Sequence, residues 1–156
     1  MEVTLYSDGS SRGNPGPGGY GAVLLSGHHR KELSQGFRLT TNNRMELMAV
    51  CVALETLKFE GSDVVIYSDS KYVVDAVSKG WVFGWVRKGF AGKKNPDLWM
   101  RFLRAYNRHK GTKDNAYYNR RHSDLYCYRK AVYKPFPLCA LYKVKCEFFF
   151  KIIKPN

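Results

Sequence analysis

The sequence predicts an α/β fold: a single domain whose mixed β-sheet is covered by helices. Three observations lead there. The segments read in the order three strands, a helix, a strand and further helices, the pattern of a sheet with helices packed on it. With 156 residues the chain is long enough for one core and short for two. Hydrophobic residues make up 44% and aromatics 15%, too many core formers for a disordered basic tail.

Residues 2–9, EVTLYSDG, alternate apolar and polar side chains and end in Asp-Gly, a strand entering a turn. The cluster GNPGPGG (13–19) reads as a tight connection; it lacks the lysine and following helix of a phosphate-binding loop. YGAVLLS (20–26) and KELSQGFRL (31–39) make the second and third strands around Gly27, so the first three strands form an antiparallel meander. NNRMELMAVCVALETLKF (42–59) has no glycine or proline and is apolar nearly all round, which predicts a long, mostly buried helix. DVVIYSDS (63–70) is a continuous apolar run, expected of a strand covered on both faces. SKYVVDAVSKG (70–80) follows as a helix closed by Gly80. The aromatic segment WVFGWV (81–86) leads into a basic loop, RKGFAGKKN (87–95). Asn95-Pro96 then supplies the cap and first position of a helix through His109, with Leu98, Trp99, Phe102, Leu103 and Tyr106 on one face.

Charge is unevenly distributed. The formal net charge of +13 attracts polyanions. Residues 1–107 hold 14 basic and 10 acidic residues, whereas 108–156 hold 12 and 3, so the last third supplies most of the excess. That third also carries Cys127, Cys139 and Cys146, and no glycine follows Gly111. Four cysteines without CxxC spacing and no apolar leader point to a reducing, cytoplasmic location without disulfides. The greasiest stretch, 138–156, is broken by lysines every few residues, so no membrane span is expected.

Three carboxylates stand where chemistry is built. Asp8 and Asp69 close the first and fourth strands, and Glu46 sits one turn into an otherwise apolar helix. Strand ends gather ligands in α/β sheets, so neighbouring strands would bring Asp8 and Asp69 within a few ångströms of each other. A carboxylate on an apolar helix is costly to ionise unless something cationic meets it. Three acids without His or Cys suit a hard ion such as Mg²⁺ or Mn²⁺, not zinc. The alternative is local: Asp8 and Asp69 as turn acids, and Glu46 in a capping arrangement with Asn42 or Asn43.

YSDGSSRGNPGPGGYGAVL, TTNNRMELMAVCVALETLK and VVIYSDSKYVVDAV resemble, in order and separation, the leading signatures of type 1 ribonuclease H of the bacterial kind. The resemblance continues through GWVFGWVRKGFAGKKNPDLWMRFLRAY and covers roughly residues 2–107. It implies a ribonuclease H-like mixed sheet, an antiparallel meander plus parallel strands flanked by helices. It further implies cleavage of the RNA strand of an RNA/DNA hybrid at a two-metal site, with Mg²⁺ or Mn²⁺ as cofactor. The first three acidic ligands fall on Asp8, Glu46 and Asp69, and the products carry 5′-phosphate and 3′-hydroxyl ends.

The same resemblance places Asn42 and Asn43 near the 2′-hydroxyls of the RNA strand, and Asn14 with Thr41 near a DNA phosphate. Without it, asparagines in turns serve turns. Trp81, Phe83, Trp85 and Phe90 interleave with Arg87, Lys88, Lys93 and Lys94, like the basic protrusion with which bacterial-type members hold the DNA strand. The alternative puts Trp81 and Trp85 in the core and the lysines in a solvated loop. Lys71, beside the end of the fourth strand, is a further candidate for substrate contact.

The C-terminal part is atypical. In the family a fifth strand, a Gly-His loop and a helix bearing a fourth acidic ligand follow; here KGTKDNAYYNR has Thr112 in place of the histidine, and the apolar strand before it is absent. The fourth ligand falls on Asp124, on a short helix with Leu125, Arg129 and Val132; His122 and Asp114 are the alternatives. Residues 108–156 therefore read as a divergent tail or one altered by deletion and frameshift near 109–122; in a divergent tail CEFFFKII would pair at a sheet edge. The expected protein is a monomeric hybrid nuclease. The competing expectations are a catalytically weakened hybrid-binding module lacking the fourth ligand, and a domain detached from a reverse transcriptase.

Overall fold

The computed structural model describes residues 1–109 and the backbone of 116–118. Five strands form one sheet in the spatial order β3-β2-β1-β4-β5. β1 (Glu2–Ser11), β2 (Gly16–Ser26) and β3 (His29–Thr40) make the expected antiparallel meander. β4 (Asp63–Ser68) joins β1 in parallel, and β5 (Ala116–Tyr118) joins β4 in parallel. The helices are α1 (Asn42–Thr56), α2 (Lys71–Ser78), α3 (Trp81–Arg87) and α4 (Pro96–Asn107).

The structure corrects several expectations. A strand three residues long, β5, lies within KGTKDNAYYNR, the segment read as a loop, and after Thr112 rather than before it: its backbone pairs Ala116 with Ile66 and Tyr118 with Ser68 along the outer edge of β4. The aromatic segment 81–86 is helical, running as α3 from the left-handed Gly80 into Arg87. Its one glycine, Gly84, lies with nothing near its Cβ direction, so a bare position on that helix costs little packing. β2 starts at Gly16, inside the stretch read as a connection, because its glycines let β1 and β3 lie close on either side. α1 stops at Thr56, where Leu57 turns to extended backbone. β4 is fully buried on one face only: Val64, Ile66 and Ser68 are buried, while Val65 and Tyr67 are half-buried, as the period-two pleat requires. Asp114, Thr112, His122, Asp124 and the segment CEFFFKII lie outside the described residues.

The core lies between the sheet and the helices. Val3 and Leu5 of β1, Ala22 and Leu24 of β2, and Val64 and Ile66 of β4 meet Leu47, Val50, Cys51 and Leu54 of α1 in one buried cluster. α4 adds Leu98, Trp99, Phe102 and Leu103 to it. Each such side chain contributes roughly 1.5–3 kcal/mol when fully withdrawn from water. The Cys51 thiol donates to the Leu98 carbonyl (3.4 Å), and burial pushes its pKa up to about 12. Two forked ion pairs bind α1 to α4 on the outside: Arg101 to Glu55 (2.6 and 2.7 Å) and Arg44 to Asp97 (3.0 and 2.7 Å).

One close approach governs where α1 sits. A methyl group on Gly9 would collide with the backbone of Met45 and Glu46, so the helix rests directly on β1 only because position 9 has no side chain. Gly9→Ala is expected to destabilise the protein by about 1–3 kcal/mol, as overpacking does, and to push Glu46 away from β1. A thermal melt measures the first effect, and loss of divalent-ion binding in still-folded protein measures the second.

His109, fully buried after α4, has Nε2 at 3.3 Å from the Leu54 carbonyl, and desolvation lowers its pKa from 6.5. A folded state that resists protonation loses stability as pH falls through the unfolded-state value, because only the unfolded chain takes up the proton. Wild type should therefore lose more stability than His109→Gln between about pH 7.5 and about pH 5.5, read by denaturant titration at each pH.

Candidate active site

The parallel register of β1 and β4 builds half of the site. Ser7 pairs with Ser68, so the next residue of each strand, Asp8 and Asp69, emerges at the same level of the sheet. Asp8 lies inside β1, which continues to Ser11, and does not close it; Asp69 follows the last residue of β4. Glu46 arrives from the first turns of α1, held over Gly9. One carboxylate oxygen from each of the three lies within 4.8 Å of the others; Asp8 is buried, and Glu46 and Asp69 are half-buried.

Hydroxyls cap the two helices that begin beside Glu46 and Asp69. Thr41 caps α1, its Oγ1 accepting from the Arg44 N–H (3.3 Å), so the helix start does not need Glu46 as a cap. Ser70 caps α2, accepting from the Val73 N–H (3.4 Å), and the Ser68 hydroxyl accepts from the Ser70 N–H (3.2 Å). Asp69 therefore sits in a turn whose capping is done by its two serine neighbours. An all-oxygen donor set of three carboxylates fits a hard divalent cation and does not fit the nitrogen and sulfur preference of zinc.

Around this trio the sequence-predicted contact residues take distinct places. Asn42 and Asn43 are exposed at the start of α1. The Asn42 Oδ1 accepts from the Ser11 N–H (2.6 Å), which ties α1 to the end of β1 and orients the side-chain amide. Asn14 is exposed in the β1–β2 turn, before a cis bond to Pro15. Thr41 is half-buried, and its hydroxyl oxygen accepts in the helix cap, a role compatible with the hydroxyl donating to a further group.

The basic segment forms a separate feature. Between Asp75 and Asp97 there are five cations and no acid. Arg87, Lys88, Lys93 and Lys94 are exposed, as is Lys71 beside Asp69. Trp81 is exposed with Lys79 Nζ 4.8 Å from its ring centre, whereas Trp85 is half-buried edge-on to Trp99, with Lys93 Nζ 4.9 Å above it. Phe90 is buried and Phe83 packs on Tyr106, so these two aromatics belong to the core and are not offered to a ligand. Sequence reasoning missed Ser11 and Gly9. Neither has a periodic signal: Ser11 reaches Asn42 through its backbone N–H and, at 3.2 Å, its hydroxyl, and Asp-Gly reads as a turn whether or not a helix lies on the glycine.

The family model described as RNase H matches residues 1–114. A ribonuclease H of Desulforamulus reducens is 57% identical over 108 residues, 66% of this chain and 67% of that protein. Among solved structures, the N-terminal RNase H domain of rv2228c from Mycobacterium tuberculosis aligns with a TM-score of 0.65 at 28% identity, covering 83% of this chain and 95% of that one. LC11-RNase H1, from a compost metagenome and solved in complex with an RNA/DNA hybrid, aligns with a TM-score of 0.50 at 27% identity, over 73% of this chain and 80% of that one.

If the trio is an ion site, Mg²⁺ or Mn²⁺ must stabilise the folded protein by mass action, by about 2.7 kcal/mol at 100 times the dissociation constant. The melting midpoint of the wild type should rise with added ion, and that rise should vanish in Asp8→Asn and Asp69→Asn.

Proposed function

The chain belongs to the ribonuclease H family, and on that premise we propose that it is an endonuclease hydrolysing the RNA strand of RNA/DNA hybrids, leaving 5′-phosphate and 3′-hydroxyl ends. The convergence of Asp8, Glu46 and Asp69 within 4.8 Å carries this conclusion. We assign these three, together with Asp124, as the residues that would hold two Mg²⁺ or Mn²⁺ ions. Such ions supply activation of a water nucleophile and charge stabilisation at the leaving 3′ oxygen.

The chain's own residues do the rest. Asn42 and Asn43, exposed one turn before Glu46, offer amide groups to the RNA 2′-hydroxyls that distinguish the strand to be cut. The bond from Ser11 holds the Asn42 amide in one orientation, so its contact is preorganised. Asn14 and Thr41 would meet a DNA phosphate. Arg87, Lys88, Lys93 and Lys94 would lie along the DNA backbone, with Trp81 and Trp85 against its sugars. Cysteines without paired spacing agree with work in the reducing cytoplasm, where the protein would act as a monomer.

The test is a labelled hybrid incubated with purified protein in Mg²⁺ or Mn²⁺, beside Asp69→Asn. Cleavage should be confined to the RNA strand and fall by at least roughly 10²-fold in the variant, the scale of losing a metal ligand or its support. Folded protein that binds the hybrid yet leaves it intact with both ions would point to a binding module instead. Each of Arg87, Lys88, Lys93 and Lys94 that sits on a phosphate should, when changed to Gln, lower the slope of log affinity against log salt by about 0.9 or somewhat less.

A further inference from the structure

One tyrosine hydroxyl gathers three groups at the end of the basic loop. Tyr72, in the first turn of α2, accepts from the Trp99 indole N–H (2.8 Å) and from the Asn95 side-chain amide (3.3 Å), and donates to the Lys94 carbonyl (3.2 Å). A phenolic hydroxyl has one proton and two acceptor sites, so these three bonds use its full capacity. Its ring packs on the fully buried Trp99 at 5.5 Å between centroids, which fixes where the hydroxyl can be.

Asn95 passes the linkage on. It sits in left-handed backbone just before α4 (φ 58°, ψ 44°), and its Oδ1 accepts from Arg44 Nη1 (3.2 Å), while Arg44 also grips Asp97 with its two terminal guanidinium nitrogens. Arg44 lies on α1 between Asn43 and Glu46. A continuous chain of contacts therefore runs from the carboxylate trio's helix through Arg44, Asn95 and Tyr72 to the backbone of Lys94. Lys93, its neighbour, is placed over Trp85.

We propose that Tyr72 is a positioning residue: its hydroxyl fixes Lys93 and Lys94 relative to Asp8, Glu46 and Asp69, and so sets how the DNA strand of a bound hybrid lies against the cutting site. The proposal rests on the hybrid-cleaving function and adds to it a specific residue that touches neither the hybrid nor the reacting atoms. Phenylalanine at position 72 keeps the ring and its packing and removes only the hydroxyl. The lysines then keep their charge and lose their fixed place.

The test compares steady-state cleavage of a hybrid by wild type, Tyr72→Phe, the double variant Lys93→Gln/Lys94→Gln, and all three changes together, across a range of salt. Tyr72→Phe should raise KM about 3- to 10-fold, as expected for losing one or two net hydrogen bonds of positioning, with kcat within about twofold. Its salt dependence should weaken toward that of the double lysine variant, and the substitution should have little further effect on KM once the lysines are gone. Asp97→Asn loosens the same chain at an exposed side chain and should shift KM in the same direction; should Tyr72→Phe not fold, it decides the matter by the same criteria. An unchanged KM and salt slope, an effect on kcat alone, or an equal effect with and without the lysines would overturn the proposal while hybrid cleavage stands. A wild-type protein that neither binds nor cuts the hybrid would overturn both.

Discussion

The contact of α1 with β1 at Gly9 is the constraint on which the site depends. A helix normally rides on a sheet at a distance set by the side chains between them, but here one position has none, and the backbone of Met45 and Glu46 comes down onto the strand. Because Glu46 follows directly from that contact, its carboxylate reaches the level of Asp8 without a long side chain having to stretch. The parallel pairing of β1 with β4 does the same for Asp69. Two backbone relations, one helix-on-strand and one strand-on-strand, thus bring three carboxylates together.

Those relations explain what could be read from the sequence and what could not. The meander, α1, α2 and α4 were legible because their apolar periods and punctuating residues, such as Pro96 and Gly80, are local signals, although the Asn95 side chain turns to Arg44 and Tyr72 and makes no cap bond. The trio was legible for a different reason: each of the two Asp residues stands beside a turn-forming residue at the end of an apolar run, though Asp8 proves to lie within β1 and only Asp69 follows its strand, and Glu46 interrupts an apolar helix. The helical state of WVFGWV was not legible, since its aromatics have no preferred period over so short a stretch and its cohesion comes from Trp99 and Tyr106 on α4. The short fifth strand was equally hidden. Its residues, Ala-Tyr-Tyr, carry little apolar signal, and its state depends on the open edge of β4, not on its own composition. The same holds for Ser11, whose shorter bond to Asn42 comes from a backbone group that every residue but proline has.

The basic loop shows how charge and rigidity are combined. Gly89, Phe90, Gly92 and Asn95 all have positive φ, so within a few residues the chain turns repeatedly through left-handed backbone. Phe90 anchors its middle in the core, and backbone bonds from Phe90 to Trp85 and from Lys93 to Phe90 close the turns. Lysine-rich loops are commonly loose; this one presents its cations from a folded spine. A polyanion meeting it has less chain entropy to freeze than composition alone suggests.

The parallel pairing of β1 with β4 also bears on when the site comes into being during synthesis. The meander and α1 are made first and hold Asp8 and Glu46, but Asp69 joins them only when a later segment slides in beside β1 and pairs from Glu2–Asp63 to Ser7–Ser68. A nascent chain that has finished its hairpins has two of the three acids and an open strand edge where the third belongs. The trio is therefore complete only after β4 has been made and has docked, and the step that completes it is the same one that covers the exposed edge of the first strand.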